Sequence, residues 1–134
     1  MMLFHDVPLS CINEAALQYH VPATLIVSVI KTENGHNGQA VKNKNGTVDV
    51  GVMQVNSRWV EQLKNKHITM DEVQNNPCTN VQVGTWILAK GIAKSEGWQG
   101  VGNYHSATNH YNAVYCEKIR ETQQNIISTL TGEM

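Results

Sequence analysis

The sequence lacks a large excess of charge of either sign. Its Lys and Arg residues number 10, its Asp and Glu residues 11, and the formal net charge is −1. Proteins that bind nucleic acids or anionic membranes usually carry a strong basic field, so neither kind of partner is expected. No apolar run approaches the roughly 20 residues that a helix needs to span a bilayer, and no membrane insertion is expected.

A recognisable signal peptide is missing as well. Residues 1–6 have neither the charged n-region nor the long apolar h-region of a secretory signal. Two interpretations stay open: a cytosolic protein, or the mature form of an exported protein whose start has been replaced. The doubled methionine at the N-terminus fits an added initiator.

Metal-binding patterns are also absent. The three cysteines, Cys11, Cys78 and Cys116, include no C-x-x-C pair, which argues against a structural zinc site. His105 and His110 do not have the spacing of a helical ligand pair. We therefore expect no metal and no cofactor. The odd cysteine count allows one disulfide plus one further thiol, or three reduced thiols.

The sequence does contain strong helical periodicity. Its 134 residues, 41% apolar and 16% charged, suit one domain over residues 1–134, with no repeat or linker. Between the second and third predicted helices, Asn45-Gly46 separates two β-prone pieces and predicts a small hairpin. The predicted fold class is α+β, mostly helical. Apolar spacing and capping signals predict helices over 9–20, 22–34, 58–65, 78–96, 98–105 and 110–130, with a short one opened by Thr69.

Two carboxylates stand in contrasting settings. Glu33 follows Ile26 and Ile30 by seven and three residues, so it continues the buried face of the second predicted helix. Burial there would raise its pKa towards the range of a general acid. Asp49 instead follows a polar loop rich in Asn and Gly. Such a pair is typical of a site that cleaves glycosidic bonds.

An ordered set of motifs surrounds these carboxylates and identifies a family. The segment over residues 45–59 resembles the hairpin region of animal lysozymes. The full set is more similar to bacterial lytic transglycosylases of the lysozyme-like superfamily. In particular it resembles the small periplasmic enzymes that accompany type IV secretion, conjugation, type IV pilus and type III secretion machines. The resemblance covers roughly residues 11–120. Its motifs are Cys11, I-K-T-E at 30–33, D-V-G-V-M-Q-V-N at 49–56, N-P-C-T-N at 76–80, G-T-W-I-L-A at 84–89, W-Q-G-V-G-N-Y-H-S at 98–106 and Y-C-E-K-I at 115–119.

The resemblance implies a lysozyme-like fold with the hairpin beside an active-site cleft. It makes Glu33 the acid that protonates the leaving oxygen and then the base that activates the 6-hydroxyl of the same sugar, giving a 1,6-anhydro end. It makes Asp49 a second carboxylate that stabilises positive charge or orients substrate. An ordinary turn residue that bonds nearby backbone remains an equal interpretation of Asp49.

The same resemblance assigns substrate contacts. Gln54 and Asn56 are expected to line the cleft, and Tyr104 and Tyr115 to lie beside Glu33. His105 is also assigned to the substrate site. The alternative for the tyrosines is ordinary core packing with hydrogen-bonded hydroxyls. Trp59, Trp86 and Trp98 are expected in the core rather than on the sugar.

Two positions depart from the family pattern. Asn34 stands where these enzymes usually have Ser after the catalytic Glu, and we expect its hydrogen-bonding role to be adjusted rather than lost. Tyr104-His105-Ser106-Ala107 stands where the wider family has Tyr-Asn-Ala-Gly, a variation typical of the secretion-associated subgroup.

The resemblance also implies a Cys11–Cys78 disulfide, with Cys116 outside it. A disulfide requires an oxidising compartment and so favours the periplasm. The expected substrate is peptidoglycan, the expected partner a component of a secretion or pilus machine, and the expected state a monomer. Three alternatives stay open: a hydrolytic lysozyme, a wall-binding assembly module with vestigial catalysis, and a cytosolic interaction domain.

Overall fold

The computed structural model describes residues 3–94, Tyr104 and residues 109–131. Two short strands open the chain and pair with each other, and three more form a separate antiparallel sheet. Helices make up most of the remainder. In chain order the elements are β1 Leu3–Phe4, β2 Val7–Pro8, α1 Leu9–Tyr19, α2 Ala23–Glu33, β3 Ala40–Lys42, β4 Val48–Val50, β5 Val55–Asn56, a 3-10 turn Ser57–Trp59, α3 Val60–Asn65, α4 Met70–Asn75, α5 Pro77–Lys94 and α6 Asn109–Thr131.

Local signals explain where α2 begins and ends. Pro22 precedes its first residue, and its carbonyl accepts from the backbone N–H of Ile26 at 3.2 Å. Asn34 follows the last residue in the left-handed conformation, at φ 54°, and donates its N–H to the Ile30 carbonyl at 2.9 Å. Asn tolerates this conformation better than most residues, so it ends the helix immediately after Glu33. Glu33 is thereby fixed at the C-terminal end of α2.

The predicted hairpin is present and has a third strand. β3 pairs antiparallel with β4, and β4 pairs antiparallel with β5. The register sets Val41 opposite Asp49, and Asp49 opposite Asn56. Asp49 therefore lies on the middle strand, between two neighbours. The pairing of β1 with β2 was not predicted, since each has only two residues.

The core lies between α5 and the other helices. α1 and α4 pack against α5, and α6 runs along α2. The disulfide between Cys11 and Cys78, with a Cα–Cα distance of 5.4 Å, joins α1 to the first turn of α5 as the resemblance implies. Cys116 is buried and lies outside this bridge. Large side chains that are fully buried include Ile12, Ile26, Ile30, Met53, Leu63, Leu88 and Ile119.

The helix predictions agree closely with the structure. α5 begins at Pro77, a residue favoured in the first turn, and Thr69 forms the predicted capping box with Glu72. The predicted helix over 98–105 lies outside the described residues except for Tyr104. Within the described part of the chain, no helix combines the length and apolarity of a membrane span.

Candidate active site

Glu33 is partly buried where α2 ends. Burial away from water, with a further contribution from the negative charge of Asp49, raises the pKa of the Glu33 carboxyl from 4.5 to about 7. A hydrogen bond from Tyr115 and the positive charge of Lys118 oppose the rise in pKa without cancelling it. The carboxyl is therefore about half protonated near neutral pH. A group that both gives and takes a proton works best when its pKa lies near the working pH.

Two tyrosines flank this acid. Tyr115, on α6, shares a hydrogen bond with Glu33, and its ring stacks on that of Tyr104 with centroids 6.4 Å apart. The Tyr104 hydroxyl donates to the Met53 carbonyl at 2.6 Å. Burial and the neighbouring Glu33 charge raise the pKa of both hydroxyls well above their usual value. Both tyrosines consequently stay protonated and act as donors.

Amide donors from two sides hold Asp49. Asn43 Nδ2 donates to Asp49 Oδ2 at 3.2 Å, and Asn56 Nδ2 donates to Asp49 Oδ1 at 2.9 Å. Thr47 Oγ1 accepts from both asparagines, at 3.1 Å each. Its hydroxyl in turn donates to Asn45 Oδ1 at 2.6 Å. This network fixes the orientation of the carboxylate.

The turn that carries Gln54 packs directly on the residue after the α2 cap. A Cβ at Gly35 would collide with the Gly51 carbonyl and lie 2.9 Å from Gln54 Nε2. Gln54 has a φ of 52°, and its Nε2 donates to the Gly51 carbonyl at 2.9 Å. Only glycine at position 35 allows this close approach, which brings the turn against the end of α2 beside Glu33.

Asn80 anchors the same turn from the side of the core. Its side chain is fully buried on α5 and makes three hydrogen bonds. Oδ1 accepts from the Met53 N–H at 2.8 Å, while Nδ2 donates to the carbonyls of Val50 and Val73, each at 2.9 Å. Gly51, at φ 72°, passes so close that any Cβ would clash with Asn80. The sequence motif N-P-C-T-N contains Asn80 without indicating this role, for which a polar residue among buried helix positions was the available signal.

These elements enclose a cleft of about 270 Å³. Its walls are mainly polar and contain both carboxylates. Of the predicted site residues, Glu33, Asp49, Gln54, Asn56 and Tyr104 line it, and Tyr115 bonds to Glu33. His105 lies outside the described residues. The other lining residues are Asn43, Asn45, Thr47, Val55, Arg58, Trp59 and Ile87.

Trp59 differs in part from the expectation. It packs against the core, as predicted, but it also lines the cleft, and the Arg58 guanidinium carbon lies 5.4 Å from its ring centre. The 3-10 turn Ser57–Trp59 causes this, because Asn56 caps it and directs the chain along the cleft edge. Among the described residues, no group of three His, Cys, Asp or Glu side chains could hold a metal ion.

Comparison with known proteins agrees with this arrangement. A family model described as "Transglycosylase SLT domain" matches residues 10–126. The resemblance inferred from the motifs is thereby confirmed, and so is the lysozyme-like α+β fold class.

Individual relatives are distant. Protein IpgF of Shigella flexneri is 29% identical over 100 residues, covering 73% of this chain and 66% of that protein. A peptidoglycan-binding-like protein of Escherichia coli O157:H7 is 30% identical over 106 residues, covering 72% and 64%. The invasion protein IagB of Salmonella typhimurium strain SL1344 is 30% identical over 101 residues, covering 73% and 62%. The chain thus spans slightly less than two thirds of the length of these relatives.

Proposed function

We propose that this chain, which belongs to the family of transglycosylase SLT domains, is a peptidoglycan lytic transglycosylase. The bond cleaved would be the β-1,4 link between N-acetylmuramic acid and N-acetylglucosamine. One observation carries the proposal: Glu33, with a pKa raised to about 7, lines the same polar cleft as the anchored carboxylate of Asp49.

In the first step Glu33 acts as a general acid. Its protonated carboxyl gives a proton to the glycosidic oxygen while the bond from that oxygen to the anomeric carbon of muramic acid breaks. The bond electrons leave with the oxygen, and positive charge develops on the sugar. Asp49, held by Asn43 and Asn56, stabilises this charge as an anion. Tyr115 stabilises the new Glu33 carboxylate by its hydrogen bond.

In the second step Glu33 acts as a base. Its carboxylate takes the proton from the 6-hydroxyl of the same muramic acid, and that oxygen bonds to the anomeric carbon. The product carries a 1,6-anhydro ring, Glu33 is protonated again, and no water is consumed. The intramolecular hydroxyl is effective because it is already next to the carbon that it attacks.

Cleft-lining amides and hydroxyls would bind the sugars. The Gln54 amide nitrogen donates to the Gly51 carbonyl and the Asn56 amide nitrogen to Asp49, while Asn56 Oδ1 accepts from the Arg58 N–H. We assign the substrate contacts to the Gln54 carbonyl oxygen and to the second lone pair of Asn56 Oδ1. These can accept hydrogen bonds from the sugars' N-acetyl groups and hydroxyls. Tyr104, Tyr115 and His105 complete the proposed substrate site.

A hydrolytic lysozyme is the second candidate. One observation favours it: Asp49 lies in the cleft and accepts hydrogen bonds on both of its oxygens, as a carboxylate that stabilises a cationic sugar would. In that case water, rather than the 6-hydroxyl, would attack the anomeric carbon and leave reducing ends.

The biological setting is also a proposal. The disulfide supports an oxidising compartment, and we place the protein in the periplasm as a single-domain monomer that opens the wall for a secretion or pilus machine. The name of one relative, a peptidoglycan-binding-like protein, supports a ligand at the cell wall.

A variant with Glu33→Gln tests the proposal. Gln keeps the shape of the side chain but cannot exchange a proton. Purified sacculi incubated with the wild type should release muropeptides, detected by mass spectrometry, and release by the variant should fall by at least about a thousandfold. Equal release by both proteins would refute the catalytic assignment. A wild type that binds sacculi but releases nothing would support the assembly module instead.

A further inference from the structure

A surface that continues from the cleft combines two tryptophans with three cations. Trp59 and Trp86 meet edge to face, with ring centroids 5.6 Å apart. The Arg58 guanidinium carbon lies 5.4 Å from the centre of the Trp59 ring. The amines of Lys66 and Lys90 lie 4.9 and 4.8 Å from the centre of the Trp86 ring. We call these five residues the basic aromatic strip.

The strip begins inside the cleft and leads out of it. Arg58 and Trp59 line the cleft that contains Glu33 and Asp49. Trp86 contacts Trp59 and brings in Lys66, which follows α3, and Lys90, one turn further along α5. The three cations are exposed and the two tryptophans are partly buried. A polymer leaving this side of the cleft would therefore pass over the strip.

The charge of the strip contrasts with the rest of the molecule. The chain as a whole carries −1, and the cleft contains two carboxylates, yet the strip presents three positive charges. Within the described residues the one ion pair joins Lys64 to Glu61, so no strip cation has a carboxylate partner there. Cations held over aromatic rings keep their charge available to an anionic ligand.

We propose that the strip binds the carboxylates of peptide stems on a peptidoglycan strand whose sugars occupy the cleft. The inference rests on the proposed function and adds a second recognition element to it. Peptidoglycan joins uncharged N-acetyl sugars to short peptides that end in carboxylates. The polar cleft suits the sugars, and the strip suits the charged stems. A neutral polysaccharide would leave the three cations without a counterpart.

Binding rather than turnover tests the inference. The Glu33→Gln protein, which does not cut its ligand, serves as the parent for two double variants that each lose two charges. Lys66→Gln with Lys90→Gln removes cations of the strip, whereas Lys31→Gln with Lys64→Gln removes exposed lysines elsewhere. Affinity for sacculi is measured by co-sedimentation at several salt concentrations. The same sacculi with their carboxyl groups converted to amides provide the second ligand, and thermal unfolding checks each protein.

The expected result is specific to the strip and to the carboxylates. The strip variant should bind native sacculi about three- to tenfold more weakly than the parent, with the difference fading at high salt, because exposed charges are screened. The control variant should bind within about twofold of the parent. On amidated sacculi the strip variant and the parent should bind alike.

Two results would overturn the inference. One is equal binding of native sacculi by the strip variant and its parent. The other is a difference that persists on amidated sacculi, which would indicate an effect of folding or a ligand other than the stems. Either can occur while wild-type cleavage still depends on Glu33, so failure of this inference is distinct from failure of the proposed function.

Discussion

Replacing Glu33 by Gln should stabilise the protein near neutral pH while removing its activity. The folded protein binds the Glu33 proton more tightly than the unfolded chain does, since burial raises the pKa from 4.5 to about 7. Below pH 4.5 Glu33 is protonated in both the folded and the unfolded protein, so its ionisation does not change the free energy of unfolding. As the pH rises from 4.5 to about 7, the unfolded chain loses the proton first, so the free energy of unfolding falls; above about pH 7 the loss is complete.

The magnitude follows from the two pKa values. The difference between about 7 and 4.5 corresponds to at most about 3 kcal/mol. The carboxyl borders an open cleft, so solvent reduces this cost, and we expect about 1 to 3 kcal/mol. Gln does not ionise and can still accept a hydrogen bond from Tyr115. The variant should therefore unfold roughly 4 °C higher than the wild type for each kcal/mol gained at about pH 8.

Thermal and urea unfolding of both proteins at about pH 4 and about pH 8 provides the assay. Glu14→Gln is the matched control, because Glu14 is exposed on α1 and its replacement relieves no burial. We expect Glu33→Gln to be more stable than the wild type at the higher pH and almost equally stable at the lower pH, with no comparable gain for the control. A Glu33→Gln protein that is no more stable than the wild type at about pH 8 would refute this expectation.

Three further predictions follow from the site and the core. Asn80→Ala leaves three buried backbone groups without partners and should cost about 3 kcal/mol in urea unfolding; a loss below about 1 kcal/mol would contradict the anchoring role. Asp49→Asn removes a charge that raises the pKa of Glu33, so the fall in activity at high pH should begin at lower pH and the maximal rate should drop; an unchanged profile would make Asp49 a turn residue only. Reducing the Cys11–Cys78 disulfide opens a loop with a sequence separation of 67 and should lower stability by about 4 kcal/mol; equal melting of the oxidised and reduced forms would argue against this.

Sequence patterns sufficed where the interactions are local. The spacing of Ile26, Ile30 and Glu33 placed Glu33 on the buried face of one helix, and Asn45-Gly46 predicted the hairpin. The capping box at Thr69 located the start of one helix. Each of these depends on residues a few positions apart, where backbone geometry alone determines which side chains are neighbours.

Contacts between distant segments could not be predicted from sequence patterns. Asn80 bonds to Val50 and Met53, about 30 positions away, and no local pattern marks those partners. Gly35 follows the end of α2, and its decisive contact is the close approach of the Gly51 carbonyl from a different part of the chain. The motif resemblance indicated that these segments meet, and the structure supplies the physical reason.

Product analysis of sacculi digested in water enriched in heavy oxygen tests the central claim most directly. If Glu33 transfers its proton first to the leaving oxygen and then from the muramic acid 6-hydroxyl, mass spectrometry should find 1,6-anhydro ends without label. These products should disappear with Glu33→Gln. Reducing ends that carry the heavy oxygen would contradict the transglycosylase mechanism and establish hydrolysis, while unlabelled anhydro ends that persist in the variant would contradict the role of Glu33.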